Sequence, residues 1–281
     1  MAPPSKQKRL QFQLQDYKAE CQRLESEKTT VIKTILFQSP IWIASVAGVM
    51  LTGALHSWRD IEILVFSMLV ASPAILVPIF FLDNSEGPGQ TPWWQSYWLK
   101  LNIWVGIVVI MGTYMGTAYF FDLMGMRYSF DVRWTFSSDV VGKSQQQVPV
   151  FMYPLTHAYF MTYFAALMAS ESFLVRRCGI RGVWARRTVV VLLSYTLAFL
   201  ETYFMASPFL SDFFAYKSRS RMLTLGSWGY ASYFFVGLPM VQRIDGDGVR
   251  WTLERVVVEA LATCMMILFL LEAWGKIVGP L

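Results

Sequence analysis

The sequence is poor in charged residues. Asp, Glu, Lys and Arg make up only 15% of its 281 residues, against roughly 25% in ordinary soluble domains. Apolar residues make up 55%, and the mean hydropathy is +0.41. A soluble chain of this length could not hide so much apolar surface, whereas a lipid bilayer accepts it. These proportions predict an all-α, polytopic integral membrane protein.

Cysteine and histidine are scarce as well. The three cysteines lie in a polar tail, a basic loop and an apolar run, with no paired spacing, so we expect free thiols rather than disulfides or a zinc site. The two histidines, His56 and His157, are far apart in the chain, and we expect no metal. The cysteines are Cys21, Cys178 and Cys264.

Motifs for nucleic-acid binding are also missing, although the net charge is +5 and the pI about 9.1. The positive charges sit in the N-terminal tail and between apolar runs. Basic residues in such places set the orientation of a membrane protein. We therefore expect the lipid bilayer, and no nucleic acid, as a partner.

Long apolar runs fill most of the chain. Each has about twenty residues or more, the length that crosses a hydrocarbon core of roughly 30 Å as a helix. We expect one bundle of about seven transmembrane helices, within a domain that spans residues 35–281. The runs lie at 35–55, 61–82, 98–121, 150–175, 188–210, 222–241 and 256–278.

Residues 1–34 form a polar tail with an amphipathic stripe. Its apolar residues recur at steps of three and four, which predicts a helix that lies on the membrane surface or packs on the bundle. The first thirty-odd residues are too polar for a cleavable signal peptide, so the first apolar helix is expected to act as a signal anchor. The stripe consists of Leu10, Leu14, Tyr17, Cys21 and Leu24.

Basic residues are distributed unequally between the two ends of the predicted helices. Sixteen of the 24 lysines and arginines fall on the side of the N-terminus. Cytosolic loops carry such an excess, so we predict a cytosolic tail and a lumenal C-terminus. The loop 176–187 contributes most, with Arg176, Arg177, Arg181, Arg186 and Arg187.

Five ionisable residues lie inside the apolar runs, where an ionised side chain costs roughly 2.5–3.5 kcal/mol or more. Glu171 is close to the arginine-rich loop and is expected to snorkel or to form a salt bridge. The other four are candidate catalytic groups: His157, Glu201, Glu259 and Glu272.

The candidates differ in depth. At 1.5 Å per residue, Glu201 lies about 3 Å from the middle of its run, and His157 and Glu272 about 7–8 Å towards the outer side. Glu259 lies about 12 Å towards the cytosol. If their helices are neighbours, the three outer groups converge on one cavity. For Glu259 and Glu272 a structural role is equally open, and a lone histidine such as His157 is more often a hydrogen-bonded core residue.

Aromatic residues surround the same region. Tyr195 is close to Glu201 in sequence, and the sixth run contains Trp228, Tyr230 and Tyr233. They fit a core or an interfacial belt. They also fit the lining of an apolar pocket, where ring faces stabilise cations, so the four are candidates for substrate contact.

Several segments together resemble the cycloeucalenol cycloisomerase family. LLSYTLAFLETYFMAS (192–207), YASYFFVGLPMVQRIDG (230–246) and VEALATCMMILFLLEAWGKIVGP (258–280) are similar to family segments and occur in the same order. The resemblance extends over about 35–281. Further upstream it includes SPIWI (39–43), YWLKLNIW (97–104), YFFDLMGMRYSF (119–130) and LTH (155–157).

The resemblance implies a reaction. The family opens the 9β,19-cyclopropane ring of a sterol precursor to give a Δ8 sterol, with neither a metal nor a redox cofactor. An acid protonates the ring, positive charge develops at C9, and a base removes the C8 proton. The resemblance thus implies a sterol substrate and an endoplasmic reticulum membrane. From their chemistry and depth, we expect the acid and the base to be among Glu201, His157, Glu272 and Glu259.

One segment departs from the family pattern. The chain reads GTYMGTAYFF at 112–121, where the family reads approximately GNYFWTHYFF, so Thr113, Gly116 and Ala118 replace Asn, Trp and His. This change favours, as an alternative, a non-catalytic protein that binds a sterol or another lipid. A transporter is a third possibility, but the sequence has no internal repeat of the kind common among transporters. The preferred sterol and the oligomeric state stay open.

Overall fold

Seven long helices coincide with the seven apolar runs. The computed structural model describes the backbone of residues 6–81, 92–246 and 248–281; residues 1–5 of the tail and the side chain of Leu10 lie outside the described part. The predicted all-α membrane fold is confirmed. The helices are α1 (Lys6–Leu51), α2 (Asp60–Phe81), α3 (Tyr97–Met115), α4 (Met152–Arg177), α5 (Val183–Met205), α6 (Ser227–Gln242) and α7 (Leu253–Val278).

Six of these helices are long and apolar enough to cross a membrane. The exception is α6, which has 16 residues and continues a π-helical turn, Met222–Gly226. It packs against α4, α5 and α7. A Cβ at Gly237 would lie 2.7 Å from the Phe164 ring, so the missing side chain lets α6 approach α4 closely. The expected number of seven is therefore approximate.

The first helix runs through the predicted boundary between tail and bundle without a break. It extends over 46 residues, and Pro40 lies inside it. Leu24, Val31 and Ile35 are buried on one side of it. Of the two positions predicted for the tail stripe, packing on the bundle is observed at Leu24, whereas Leu14 is exposed.

The tail and three loops lie at one end of the bundle. Arg250, between α6 and α7, forms ion pairs with Glu20 and Glu27 of α1 at 3.1 Å. Glu27 also accepts a hydrogen bond from the backbone N–H of Tyr97, where α3 begins. A hydrogen bond between the ends of α4 and α6 places the α4–α5 loop here too, so the basic segments predicted to share one side do so. That this side faces the cytosol stays a prediction.

The same end contains a buried ion pair. Lys100 of α3 donates to both carboxylate oxygens of Asp245 at 2.7 and 2.8 Å, and both side chains are fully buried. The backbone N–H of Trp251 donates to the same carboxylate at 2.6 Å. This cluster holds the α6–α7 loop against α3. The sequence analysis did not predict it.

The opposite end has a small antiparallel ribbon. The strands β1 (Met126–Tyr128) and β2 (Phe214–Tyr216) pair with Tyr128 opposite Phe214 and Met126 opposite Tyr216. Successive side chains of a strand alternate between its two faces. Tyr128, Phe214 and Tyr216 consequently share one face of the ribbon.

The third apolar run ends earlier than predicted. The helix α3 stops at Met115, with Gly116 as its C-cap, and the chain continues as a π-helical segment, Ala118–Leu123. Single 3₁₀ turns occur at Ala54–His56, Trp93–Gln95 and Pro208–Leu210, and one short α-helical turn at Arg219–Arg221.

Candidate functional site

Glu201 lies one turn before the end of α5. Ser194, Ala198 and Thr202 form the buried stripe of this helix, and Glu201 lies beside it. Protein atoms surround its carboxyl, yet the side chain keeps some accessible surface. Oε2 is buried and has no hydrogen-bond partner among the described residues. The carboxyl is therefore enclosed but incompletely satisfied.

Two phenols from neighbouring helices approach this carboxyl. Tyr230 of α6 and Tyr163 of α4 lie close enough to interact with it. Tyr159, one turn before Tyr163 on the same helix, lies within electrostatic range of Glu201. The carboxyl thus lies where α4, α5 and α6 meet.

The ribbon adds two further phenols. Tyr128 and Tyr216 both lie within electrostatic range of Glu201. Burial, and secondly the charge of Glu201, raises the pKa of Tyr128 and of Tyr216 above the ordinary value of a phenol. Both hydroxyls therefore stay protonated and able to donate a hydrogen bond. We call Glu201 with Tyr128, Tyr159, Tyr163, Tyr216 and Tyr230 the tyrosine cage.

Further aromatic rings extend the cage. The Phe234 ring centroid lies 5.9 Å from that of Tyr163 and 5.4 Å from that of Tyr230. Tyr159 packs against Trp42 at 4.8 Å, and Tyr230 is 5.9 Å from Tyr233. Glu201 has no ion-pair partner in the described part of the chain. Its surroundings are aromatic and hydroxyl-bearing, with no counter-charge in contact.

His157 lies on α4 but turns towards α3. Its Nε2 is 3.0 Å from Oδ1 of Asn102, and its ring borders Gly106. Asn102 in turn donates to the backbone carbonyl oxygens of Trp98 and Ala74. The structure does not bring His157 into the tyrosine cage.

Glu272 occupies a separate, open pocket of about 480 Å³. Its carboxylate accepts a hydrogen bond from Tyr119 at 3.0 Å and lies 3.5 Å from Lys276. Ala118 and Leu268 also line this pocket. The expected convergence of Glu201, His157 and Glu272 on one cavity is therefore not observed.

The two remaining carboxylates are paired with arginines. Glu259 lies 3.2 Å from Arg243 and 3.8 Å from Arg255. Glu171 is buried and forms an ion pair with Arg186. The predicted salt bridge of Glu171 is thus confirmed, and Glu259 does not face the cage.

The four aromatic candidates divide between two places. Tyr230 borders Glu201, and Tyr233 lies behind it, donating to the carbonyl oxygen of Gly112 at 3.3 Å. Tyr195 and Trp228 stack on one another at 4.2 Å, with Trp228 exposed. Neither of the last two is among the residues that interact with Glu201, and Tyr195 is half-buried.

Sequence reasoning missed four members of the cage. Tyr159 and Tyr163 are four residues apart, a spacing that places them on one face of a helix, and this signal was available. Tyr128 lies within the recognised segment YFFDLMGMRYSF. Tyr216 carried no signal, because its position depends on a ribbon between distant parts of the chain.

The departure from the family pattern lies away from the cage. Gly116 ends α3, and Ala118 lines the pocket of Glu272. Neither residue is among those that interact with Glu201. The altered segment therefore changes the neighbouring pocket rather than the surroundings of the buried carboxyl.

Together, the fold and the site define a class: a polytopic helical membrane protein whose bundle encloses a carboxyl that lies among phenols and has no ion-pair partner in the described part of the chain. The chain is 28% identical over 256 residues to the cycloeucalenol cycloisomerase of Arabidopsis thaliana, with 88% of this chain and 85% of that protein covered. The resemblance inferred from the sequence motifs is thereby confirmed. No protein-family model matches the chain, and no solved structure matches it.

Proposed function

We propose that the protein is an intramembrane isomerase that opens the 9β,19-cyclopropane ring of a cyclopropylsterol, such as cycloeucalenol, to give a Δ8 sterol of the obtusifoliol type. One observation carries the proposal: Glu201 is an enclosed carboxyl with no ion-pair partner among the described residues, with two tyrosines beside it and three more within electrostatic range. The similarity to an Arabidopsis protein named cycloeucalenol cycloisomerase supports the same conclusion.

The reaction needs a proton donor that is shielded from water. An ionised carboxylate without a counter-charge is costly away from water, so Glu201 enters the reaction as the neutral acid. It transfers its proton to C19 while the C9–C19 bond breaks, and the electron pair of that bond forms the new C–H bond of the methyl group. C9 is left with the positive charge. Loss of the C8 proton to a base then gives the C8–C9 double bond.

The tyrosine cage can stabilise the carbocation intermediate. Aromatic ring faces attract cations, and the rings of Tyr163 and Tyr230, which neighbour the carboxyl, both pack against Phe234. Excluding water protects the cation from capture. Phenol hydroxyls also stabilise the carboxylate that the first step creates, since hydrogen bonds to charged groups are stronger than those between neutral groups.

An isotope experiment tests this proposal. The purified protein is equilibrated in heavy water and mixed with less than one equivalent of cycloeucalenol, and the sterols are analysed by mass spectrometry and NMR. We expect a Δ8 product with one deuterium in the C19 methyl group. The absence of product contradicts the isomerase activity. A product without that deuterium contradicts protonation by an exchangeable acid.

The location follows from the same proposal. We place the protein in the endoplasmic reticulum membrane with a cytosolic N-terminus and a lumenal C-terminus, since most basic residues lie on the side of the tail. A tag fused after Leu281 should resist protease in intact microsomes. Its digestion without detergent contradicts this orientation.

A second function is favoured by the altered end of α3. Gly116 and Ala118 replace bulkier residues of the family pattern, so a non-catalytic protein that binds a sterol is the alternative. The two functions differ in one measurement. Retention of cycloeucalenol by the purified protein without conversion, under conditions where the Arabidopsis relative converts it, favours the binding protein.

A further inference from the structure

Two arginine-rich loops lie at the same end of the bundle but differ in how their charges are balanced. In the α6–α7 loop, Arg250 pairs with Glu20 and Glu27 of α1. Arg243 and Arg255 both pair with Glu259. The protein's own carboxylates thus balance this loop, which leaves little charge for an external anion.

The α4–α5 loop has almost no such balance. Of its five arginines only Arg186 pairs with a carboxylate, that of Glu171. The other four are exposed, and none forms an ion pair within the residues that the structure describes. They are Arg176, Arg177, Arg181 and Arg187.

The loop lies where a membrane surface is expected. It joins two helices that are each long and apolar enough to span a bilayer, α4 and α5. Trp184 is 77% exposed, and the guanidinium of Arg187 lies 4.9 Å from the centre of its ring. Tryptophan is enriched at membrane–water interfaces. The backbone N–H groups at the start of α5 add positive potential here, since Gly182 has no side chain to cap them.

We propose that this loop binds the anionic headgroups of phospholipids. Basic clusters next to a transmembrane helix attract anionic lipids, and guanidinium groups bind phosphate through paired hydrogen bonds. Val183 and Trp184, both exposed, offer apolar contact to the upper part of the acyl chains. This inference stands independently of the proposed isomerase activity.

Lipid retention in nanodiscs tests the proposal. The full-length protein is placed in nanodiscs of dioleoyl phosphatidylcholine with one fifth dioleoyl phosphatidylserine, and the lipids that stay bound after transfer to detergent are counted by native mass spectrometry. We expect more phosphatidylserine than its share. Arg177→Gln with Arg181→Gln should reduce its retention on the order of tenfold.

A matched double variant provides the control. Lys217→Gln with Arg221→Gln removes the same charge from two exposed residues at the opposite end of the bundle, and should leave the retention of phosphatidylserine unchanged. Retention of phosphatidylserine at no more than its one-fifth share by the unaltered protein would overturn the proposal, and so would an equal loss in both double variants. Displacement of the lipid by millimolar inorganic phosphate would show a site for free phosphate, and would overturn it too.

Discussion

Glu201 and Asp245 are both enclosed carboxyls, at opposite ends of one bundle. Asp245 accepts two hydrogen bonds from Lys100 and one from the backbone N–H of Trp251. Glu201 faces phenols and leaves Oε2 without a partner among the described residues. A buried carboxylate with a cation and full hydrogen bonding stabilises one arrangement of the chain. A buried carboxyl with neither is available for proton transfer.

The strongest test of this comparison replaces Glu201 with Gln. The amide keeps the size and polarity of the side chain but has no acidic proton. General acid catalysis contributes about 10²–10⁴-fold to a rate, so we expect turnover of cycloeucalenol to fall on that scale, with the melting temperature nearly unchanged. Near-normal turnover would remove Glu201 from the mechanism and leave His157, Glu259 and Glu272 to be tried.

The reciprocal change acts on the buried ion pair. Lys100→Met leaves Asp245 as an uncompensated buried charge, which typically costs about 3–5 kcal/mol. We expect a large loss of thermal stability in detergent, with turnover per folded molecule nearly unchanged. The double variant Lys100→Met with Asp245→Leu should recover part of the stability, because it removes both charges. A loss of turnover without a loss of stability would contradict the structural role of this pair.

The sequence predicts Glu201 better than it predicts the Lys100–Asp245 pair, for a physical reason. Glu201 was predicted as the leading candidate because burying a carboxyl in an apolar run costs free energy, and such a residue can be recognised from the sequence alone. The seven helices were predicted for the same reason, from the length of apolar runs. Lys100 and Asp245 lie at the ends of such runs, where charges are ordinary, and only the folded chain shows that the two meet.

The surroundings of Glu201 were predicted less well. Tyr230 was anticipated from the sixth run, but Tyr216 reaches the cage through β2, and a three-residue strand leaves no pattern in the sequence. His157 and Glu272 have depths similar to that of Glu201, yet they lie on other faces of the bundle. Depth follows from position along one helix, whereas direction depends on how neighbouring helices pack.

A smaller effect is expected from removing one phenol of the cage. Tyr163→Phe keeps the ring and removes the hydroxyl that approaches Glu201. Hydrogen bonds to charged groups contribute about 1.5–3 kcal/mol, so turnover should fall roughly tenfold to a hundredfold. Tyr195→Phe is the matched control, since its ring stacks on Trp228 away from the carboxyl, and should have no effect. Equal losses in both variants would contradict a specific role of Tyr163.

The smallest effect is expected at Glu272, the carboxylate that lies at a similar depth but outside the cage. It is half exposed and pairs with Lys276 one turn away, and such surface pairs contribute about 0–1 kcal/mol. Glu272→Gln should therefore change turnover less than about threefold and stability by less than about 1 kcal/mol. The measurement is the rate of cycloeucalenol conversion beside that of Glu201→Gln in the same preparation. If the rate falls as far as in Glu201→Gln, the proton donor lies in the open pocket of Tyr119 and Glu272. The altered residue Ala118, which lines that pocket, would then belong to the active site, and the comparison between the two enclosed carboxyls would no longer identify the catalytic one.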